Sequence, residues 1–167
     1  MKHLLVFIVG TLALPALAME KVAQTHTVTI SCPVYDKLWD NYIISARAAH
    51  AEVGSICYSQ NCMLPTNWTI DSLYVQKQYR KKGTGFLLFK KCLEDIKTHE
   101  GSLVEWEVAP TDDGISQHDL LESYKRFIKK FDPNLPISTK ENTYRIGSKK
   151  LHAVHLSIPL REIKKNS

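Results

Sequence analysis

Apolar and polar residues alternate with period two over Thr25–Ser31, a stretch rich in β-branched residues, and two further strand-like stretches follow at Tyr42–Arg47 and Glu52–Tyr58. That period belongs to strands with one buried face. The second and third stretches read as a hairpin, with Gly54 where strand backbones approach closely. Trp68–Val75 is a strongly apolar strand. From Gly83 to about Thr98 the period changes: Phe86, Phe89, Leu93 and Ile96 recur at helical spacing with lysines and acids between them. Gly101 breaks this helix, and Leu103–Val108 is again a strand. Ser116-Gln117-His118-Asp119 is a capping box with Asp in the usual Glu place. The helix it opens buries a stripe of Leu120, Leu121, Tyr124, Phe127, Ile128 and Phe131, and Asp132-Pro133 ends it. Asn142–Ile146 and Leu151–Ile158 close the chain as two strands around Gly147. The predicted order is β-ββ-β-α-β-α-ββ, without repeats, long linkers or low-complexity tracts.

The ends change this picture at one place. Met1-Lys2-His3, an apolar run from Leu4 to Leu14, Pro15 and then Ala16-Leu17-Ala18 form the pattern of a cleaved secretory signal over residues 1–18. The run is shorter than the roughly 20 residues of a bilayer span, so no stable membrane insertion is expected. Residues 19–167 then form a single domain of roughly 150 residues, a comfortable size for one core. The expected location is secreted or periplasmic. An uncleaved anchor, or Met19 as the true start of a cytosolic protein, are the alternatives.

Charge and cysteines add less. A net charge of +5 is mildly basic and carries no nucleic-acid signature. The basic residues gather at Lys77, Arg80, Lys81, Lys82, Lys90 and Lys91, and at Lys164 and Lys165 in the tail. An even set of four cysteines, Cys32, Cys57, Cys62 and Cys92, permits disulfides behind a signal. Cys57 and Cys62 flank an expected turn at Tyr58–Asn61 and are the favoured local pair; Cys92 falls on the buried helix stripe. Asn67-Trp68-Thr69 is a glycosylation sequon, meaningful in a eukaryotic host.

The chemistry concentrates at Arg80-Lys81-Lys82-Gly83-Thr84-Gly85, between a strand and a helix. A helix start stripped of side-chain bulk presents backbone N–H groups to an anion, and three cations stand before it. A P-loop is excluded because its Lys follows the glycines. A dinucleotide fingerprint is excluded because Leu88 stands where a third glycine is needed. Arg-x-x-Gly-x-Gly after "IDSLYV", with "LVEWEVAP" beyond the helix, resembles the acetyl-CoA motif of the GNAT superfamily of N-acetyltransferases. The feel is closest to the polyamine and diamine branch. The resemblance spans roughly Glu52 to Phe131. It implies an α/β (α+β) fold with a mixed central sheet of about six to seven strands, two main helices, and splayed strands 68–75 and 103–108. The family's helices between its first and second strands are abbreviated here, because only Pro33–Asn41 is available. That implies an open acceptor cleft.

The same resemblance implies site residues. Backbone groups of Leu73 and Val75, in the run Leu73-Tyr74-Val75, pair with the pantetheine arm of acetyl-CoA. The N–H groups from Lys81 to Gly85, through Lys82, Gly83 and Thr84, hold the pyrophosphate, and Arg80 supplies charge. The Val75 N–H is the oxyanion donor, Tyr124 the acid for the leaving thiolate, and Asp71, working through a water, the base. Strand alternation puts Asp71, Leu73 and Val75 on one face, with Ser72 and Tyr74 on the other. Glu105 and Glu107 share a face and are expected to meet solvent. The polyamine branch's Asn before the second helix is replaced by Gln117 and Ser116.

Other constellations are weak. His152 and His155 leave a strand on opposite faces and cannot share a metal, so no metal is expected. His118 reads as a solvated helix-start residue, and Cys92 is no nucleophile. The expectation is N-acetyl transfer from acetyl-CoA to a small amine or a protein lysine by direct attack, with no nucleic-acid partner and oligomeric state open, a dimer included. An exported protein meets little acetyl-CoA. Hence the alternative is a secreted, inactive GNAT-fold interaction module.

Overall fold

The computed structural model describes residues 27–109, 114–146 and 149–160. The expected signal segment, Met19, the Gly147 turn and the basic tail at Lys164 and Lys165 lie outside these residues. The elements in chain order are β1 (Val28–Ile30), β2 (Val34–Asp36), β3 (Asn41–Ala48), β4 (Ala51–Gln60), β5 (Asn67–Val75), a 3₁₀ turn (Lys77–Tyr79), α1 (Thr84–Thr98), β6 (Leu103–Val108), α2 (Gln117–Phe131), β7 (Ser138–Ile146) and β8 (Lys149–Pro159).

The strands form one sheet in the order β1-β3-β4-β5-β6-β8-β7, with β2 also on β3. Every pairing is antiparallel except β5 with β6. The sheet is therefore mixed, with eight strands where six to seven were expected. The extra one is β2, an extended piece in the Pro33–Asn41 stretch where abbreviated helices were expected.

Both helices pack on the same face. Ile44, Ile56, Tyr58, Trp68, Ile70 and Trp106 from the strands form one core with Leu88, Phe89, Cys92, Leu93 and Ile96 of α1 and Tyr124 and Ile128 of α2. The helical periods predicted from sequence are the cause: each apolar stripe turns to the sheet and each polar side is left in water, although of the α2 stripe only Tyr124 and Ile128 are buried while Leu120, Leu121, Phe127 and Phe131 are half-buried. Ser116 caps α2 as predicted, its Oγ accepting the Asp119 N–H at 3.1 Å. In register, the opposite sheet face carries Ser45, Ser55, Cys57, Thr69, Ser72, Tyr74, Glu105 and His155. A mainly antiparallel sheet with a polar outer face can meet water directly, so this face folds without the family's missing helices.

One turn differs from expectation. The stretch Tyr58–Asn61 is not a hairpin turn, because β4 continues to Gln60 and the chain reverses over residues 61–66. Cys57 is a strand residue paired with Ile43 and Ser72, while Cys62 lies past the strand end. An extended strand carries residues five apart well beyond disulfide reach, and all four cysteines are free thiols.

Candidate active site

The site begins with a divergence. β5 and β6 pair only from Asn67 to Thr69 against Leu103 to Glu105. Beyond those residues β5 keeps its β4 ladder while β6 stays with β8, so a wedge opens between them. The ladder fixes which backbone groups face the wedge. Gln76 N–H donates to the Val53 carbonyl at 2.8 Å, and Val75 stands opposite Gly54. Successive strand residues alternate their hydrogen-bonding side, so Val75 and Leu73 aim their backbone groups away from β4 and into the wedge. Tyr74 does the reverse. Its backbone belongs to the β4 ladder, and its half-exposed ring lies on the open face. Among the expected cofactor residues, Tyr74 is therefore set apart from Leu73 and Val75.

The wedge ends at the glycine turn. The 3₁₀ turn delivers Arg80, whose Nε donates to the Val75 carbonyl at 2.8 Å. Lys81 takes a φ of 60°, and Gly83, the N-cap of α1, takes 88°. No side chain caps this helix. Leu87 N–H is the donor that bonds the Gly83 carbonyl, so the N–H groups of Thr84, Gly85 and Phe86 precede the intrahelical ladder. A Cβ added at Gly83 would meet nothing within 4 Å. Open space, bare donors and Lys81 and Lys82 at the surface make a cradle for an anion. The two glycines differ, contrary to the expectation that both clear space for the ligand. A Cβ at Gly85 would stand 3.3 Å from the Phe127 ring and 3.7 Å from Val75, so Gly85 is small because α2 packs there. Thr84 contributes only its backbone, since its hydroxyl is buried and has no hydrogen-bond partner.

Tyr124 lies on the helix side of the wedge. Its ring packs at 5.4 Å from Trp106 of β6 and 6.0 Å from Phe89 of α1, and 7% of the residue is exposed. Burial, with a smaller contribution from Cys92, raises its pKa to about 12, which holds the phenol protonated. Cys92 is buried between the layers, and burial pushes its thiol well above the usual range.

Asp71 lies on the other side, and here the face assignment from alternation is overturned. Cys57 pairs with Ser72 while Tyr58 pairs with Ile70, so Asp71 is the extra residue of a β-bulge. The bulge shifts the phase of the strand. Asp71 accepts a hydrogen bond from Ser59 Oγ at 3.3 Å on the open face, in company with Ser72 and Tyr74, while Leu73 and Val75 turn toward the core. Partial desolvation raises the Asp71 pKa, offset in part by the Ser59 bond. Glu105 and Glu107 are not simply solvated. Glu105 meets His155 Nε2 at 3.3 Å, and Glu107 accepts from Tyr144 and, at 3.5 Å, from Asn142. Gln117 is anchored to the Val108 and His152 carbonyls at 2.9 and 3.2 Å.

The family model of the acetyltransferase (GNAT) family matches residues 22–118. The chain belongs to the GNAT acetyltransferase family. No match is found by sequence among curated proteins. Among solved structures, nourseothricin acetyltransferase aligns at 16% identity and TM-score 0.57, over 73% of this chain and 66% of that one. A Bacillus subtilis acetyltransferase in complex with CoA aligns at 16% identity and TM-score 0.53, over 74% and 80%. The ribosomal-protein-S18-alanine N-acetyltransferase of Escherichia coli aligns at 10% and 0.57, over 84% and 99%.

GNAT enzymes take acetyl-CoA as co-substrate, and the residues present fit it. The wedge offers strand-like donors and acceptors at Leu73 and Val75, and the bare α1 start offers amides for phosphates. Among the described residues no cluster of His, Cys, Asp or Glu is arranged for a metal ion. The sequence reading missed the bulge, the partners of Glu105 and Glu107, and the Arg80 anchor on Val75. A bulge leaves no compositional mark, and the other two depend on contacts across strands.

Proposed function

We propose that this GNAT protein transfers the acetyl group of acetyl-CoA to a primary amine, on a small molecule or a protein lysine, by direct attack within the wedge. The observation that carries the reading is the opening of β5 from β6 after Thr69 and Glu105, with Leu73 and Val75 aimed into it. Acetyl-CoA supplies an activated thioester.

The chain supplies the rest. The Val75 N–H, fixed between the β4 ladder and the Arg80 bond to its own carbonyl, is placed to donate to the thioester oxygen. Asp71 on the open face takes a proton from the arriving ammonium through a water. The acceptor nitrogen forms the C–N bond, the C–S bond breaks with its electron pair passing to sulphur, and Tyr124 gives sulphur its proton from the helix face. The nitrogen's second proton and the one held by Asp71 return to solvent, Tyr124 recovers its own from there, and one proton is released in net. Acid and base thus stand on opposite faces of one sheet. The amine can approach from one side while the thiolate is protonated from the other. The solved structures this chain resembles include an enzyme named for nourseothricin and one named for an alanine of ribosomal protein S18, which supports keeping both a small molecule and a protein as acceptor within this reading.

The test is calorimetric titration of the full-length chain with acetyl-CoA, followed by thiol release with a panel of amines. Micromolar-order binding, about −8 kcal/mol, and amine-dependent thiol release are expected. Absence of both would support the inactive interaction module instead. We further propose that residues 1–18 are removed on export, which predicts Met19 as the N-terminal residue of the protein recovered from its host.

A further inference from the structure

Nine large hydrophobic side chains stand exposed among the described residues, and six of them gather at one end of the sheet. Leu38 and Trp39, 82% and 72% exposed, form the tip of the β2–β3 turn. Met63 and Leu64, 84% and 56% exposed, form the tip of the β4–β5 loop. Register brings the two tips together. Tyr42 near the start of β3 pairs with Tyr58, and Gln60 at the end of β4 pairs with Trp68 near the start of β5. The turn and the loop therefore leave the same end of the sheet, their centres two strand spacings or about 10 Å apart. Exposed Val34 and Tyr35 continue the surface along β2, whose outer edge is unpaired among the described residues. Each tip is held outward by its own hydrogen bonds. Asp36 accepts the Leu38 N–H at 2.9 Å, and Asp40 accepts the Tyr35 hydroxyl. Asn61 Oδ1 accepts the N–H groups of Met63 and Leu64 at 2.9 and 3.1 Å.

The six residues expose the equivalent of about four whole side chains, on the order of 800 Å² at about 150–250 Å² for a large side chain. The largest apolar patch of an ordinary monomer is about 300–600 Å², whereas each partner brings about 800 Å² to a standard interface. Shape and charge indicate what covers it. A cleft of about 470 Å³ borders the patch and shares Val34 and Tyr35 with it. A protruding Trp39 beside a recess gives one surface both a knob and a hole, which two copies related by a two-fold axis can exchange. Lys37 makes no hydrogen bond or ion pair with the described residues. Asp36 and Asp40 each spend one carboxylate oxygen inside the turn and keep acceptor capacity for a cation. Both signs of charge on one rim suit self-association, whereas an anionic lipid surface would meet two carboxylates for each lysine there.

We infer that this end of the sheet is an isologous dimer interface, with Trp39 of each copy seated against the other and Leu38, Met63 and Leu64 packed around it. The surface is independent of the acetyl-transfer chemistry. β5 begins at Asn67 beside the patch and reaches Val75 at its far end, about 25 Å away at strand rise, so both wedges stay open in the dimer.

The test is sedimentation equilibrium of the full-length chain over a range of concentrations, with tryptophan emission followed in parallel. A concentration-dependent dimer of micromolar order is expected. Trp68 and Trp106 are buried, so dilution should shift the emission to the red through Trp39 alone. Trp39→Phe should keep the dimer and lose that shift. Trp39→Lys combined with Met63→Lys should weaken association by about a hundredfold or more. The double variant should keep the wild-type far-UV circular dichroism and acetyl-CoA affinity, because both positions are exposed and remote from the wedge. A chain that is monomeric at every concentration, or a double variant that associates as tightly as wild type, would overturn the inference. So would a monomer whose Trp39 emission shifts only on adding vesicles of phosphatidylcholine and phosphatidylglycerol, which would give the patch to a lipid surface.

Discussion

A methyl group placed on Gly54 would stand 2.7 Å from the carbonyl oxygen of Tyr74. The same methyl would lie 3.3 Å from the Val75 Cα and 3.3 Å from Leu88 of α1. β4 therefore has no room for a side chain beside the residue whose N–H faces the wedge. The Gly54→Ala variant must push two backbones apart, and overpacking of this kind costs about 1–3 kcal/mol. Because Val75 moves with the displaced strand, turnover should fall further than acetyl-CoA affinity. A thermal melt and a steady-state assay on the same preparation check this; an unshifted melting temperature would mean that the strands give way freely.

Gly83 and Gly85 are expected to respond differently, since only Gly83 borders open space. A left-handed backbone costs a non-glycine residue about 1–2 kcal/mol. Gly83→Ala pays that strain without filling the cradle, so it should lower stability and retain most of the acetyl-CoA affinity. Gly83→Glu adds a negative charge where phosphates are expected and should abolish binding at similar stability. Gly85→Glu should lose stability as well, because its Cβ is already in contact with Phe127. Calorimetry and denaturant titration of the three variants separate these outcomes; equal affinity in Gly83→Glu and Gly83→Ala would remove the phosphate assignment.

What could be read from sequence follows from the range of each interaction. Period, capping and the glycine turn are local, and so the elements, the Ser116 cap and the α1 start were legible. The splay was legible through the resemblance carried by the motif on either side of it. Asp71 was misplaced because alternation assumes an unbroken strand, and the bulge that breaks it is set by register against Cys57 and Tyr58. Gly85 was read as ligand clearance because Phe127, its reason for being small, lies on another helix 42 positions away.

Tyr124 should act as an acid and not only as packing. Tyr124→Phe removes one hydroxyl from a ring held by Phe89, Trp106 and Phe127, so the fold should persist. Loss of a general acid costs about a hundredfold or more in turnover, with acetyl-CoA affinity little changed. Wild-type turnover in this variant would leave Tyr124 a core residue.

The Asp71 carboxyl is raised by partial desolvation, so the acid limb of the rate profile should lie above the ordinary carboxylate range. Activity should fall as pH drops through that limb and the base becomes protonated. Asp71→Asn should reduce turnover and erase the limb. Ser59→Ala removes the bond that lowers the Asp71 pKa, and should move the limb to higher pH. An identical profile in the wild-type chain and Asp71→Asn would assign the base elsewhere.

Alkaline stability offers a check on the core itself. Tyr58 and Tyr124 both have raised pKa values, each chiefly through burial, and Tyr58 also donates to Asp95 at 2.6 Å. The unfolded chain releases these protons near pH 10, while the folded chain keeps that of Tyr124 until about pH 12. A raised pKa of this kind gives full stability below pH 10 and loses it as pH rises through the folded value. Each group that is ionised only in the unfolded state contributes a slope of about 1.4 kcal/mol per pH unit. Denaturant titrations between pH 9 and 12 should therefore show stability falling steadily, and Tyr124→Phe should fall less steeply. Parallel slopes for the two proteins would mean that the Tyr124 hydroxyl titrates as though it were in water.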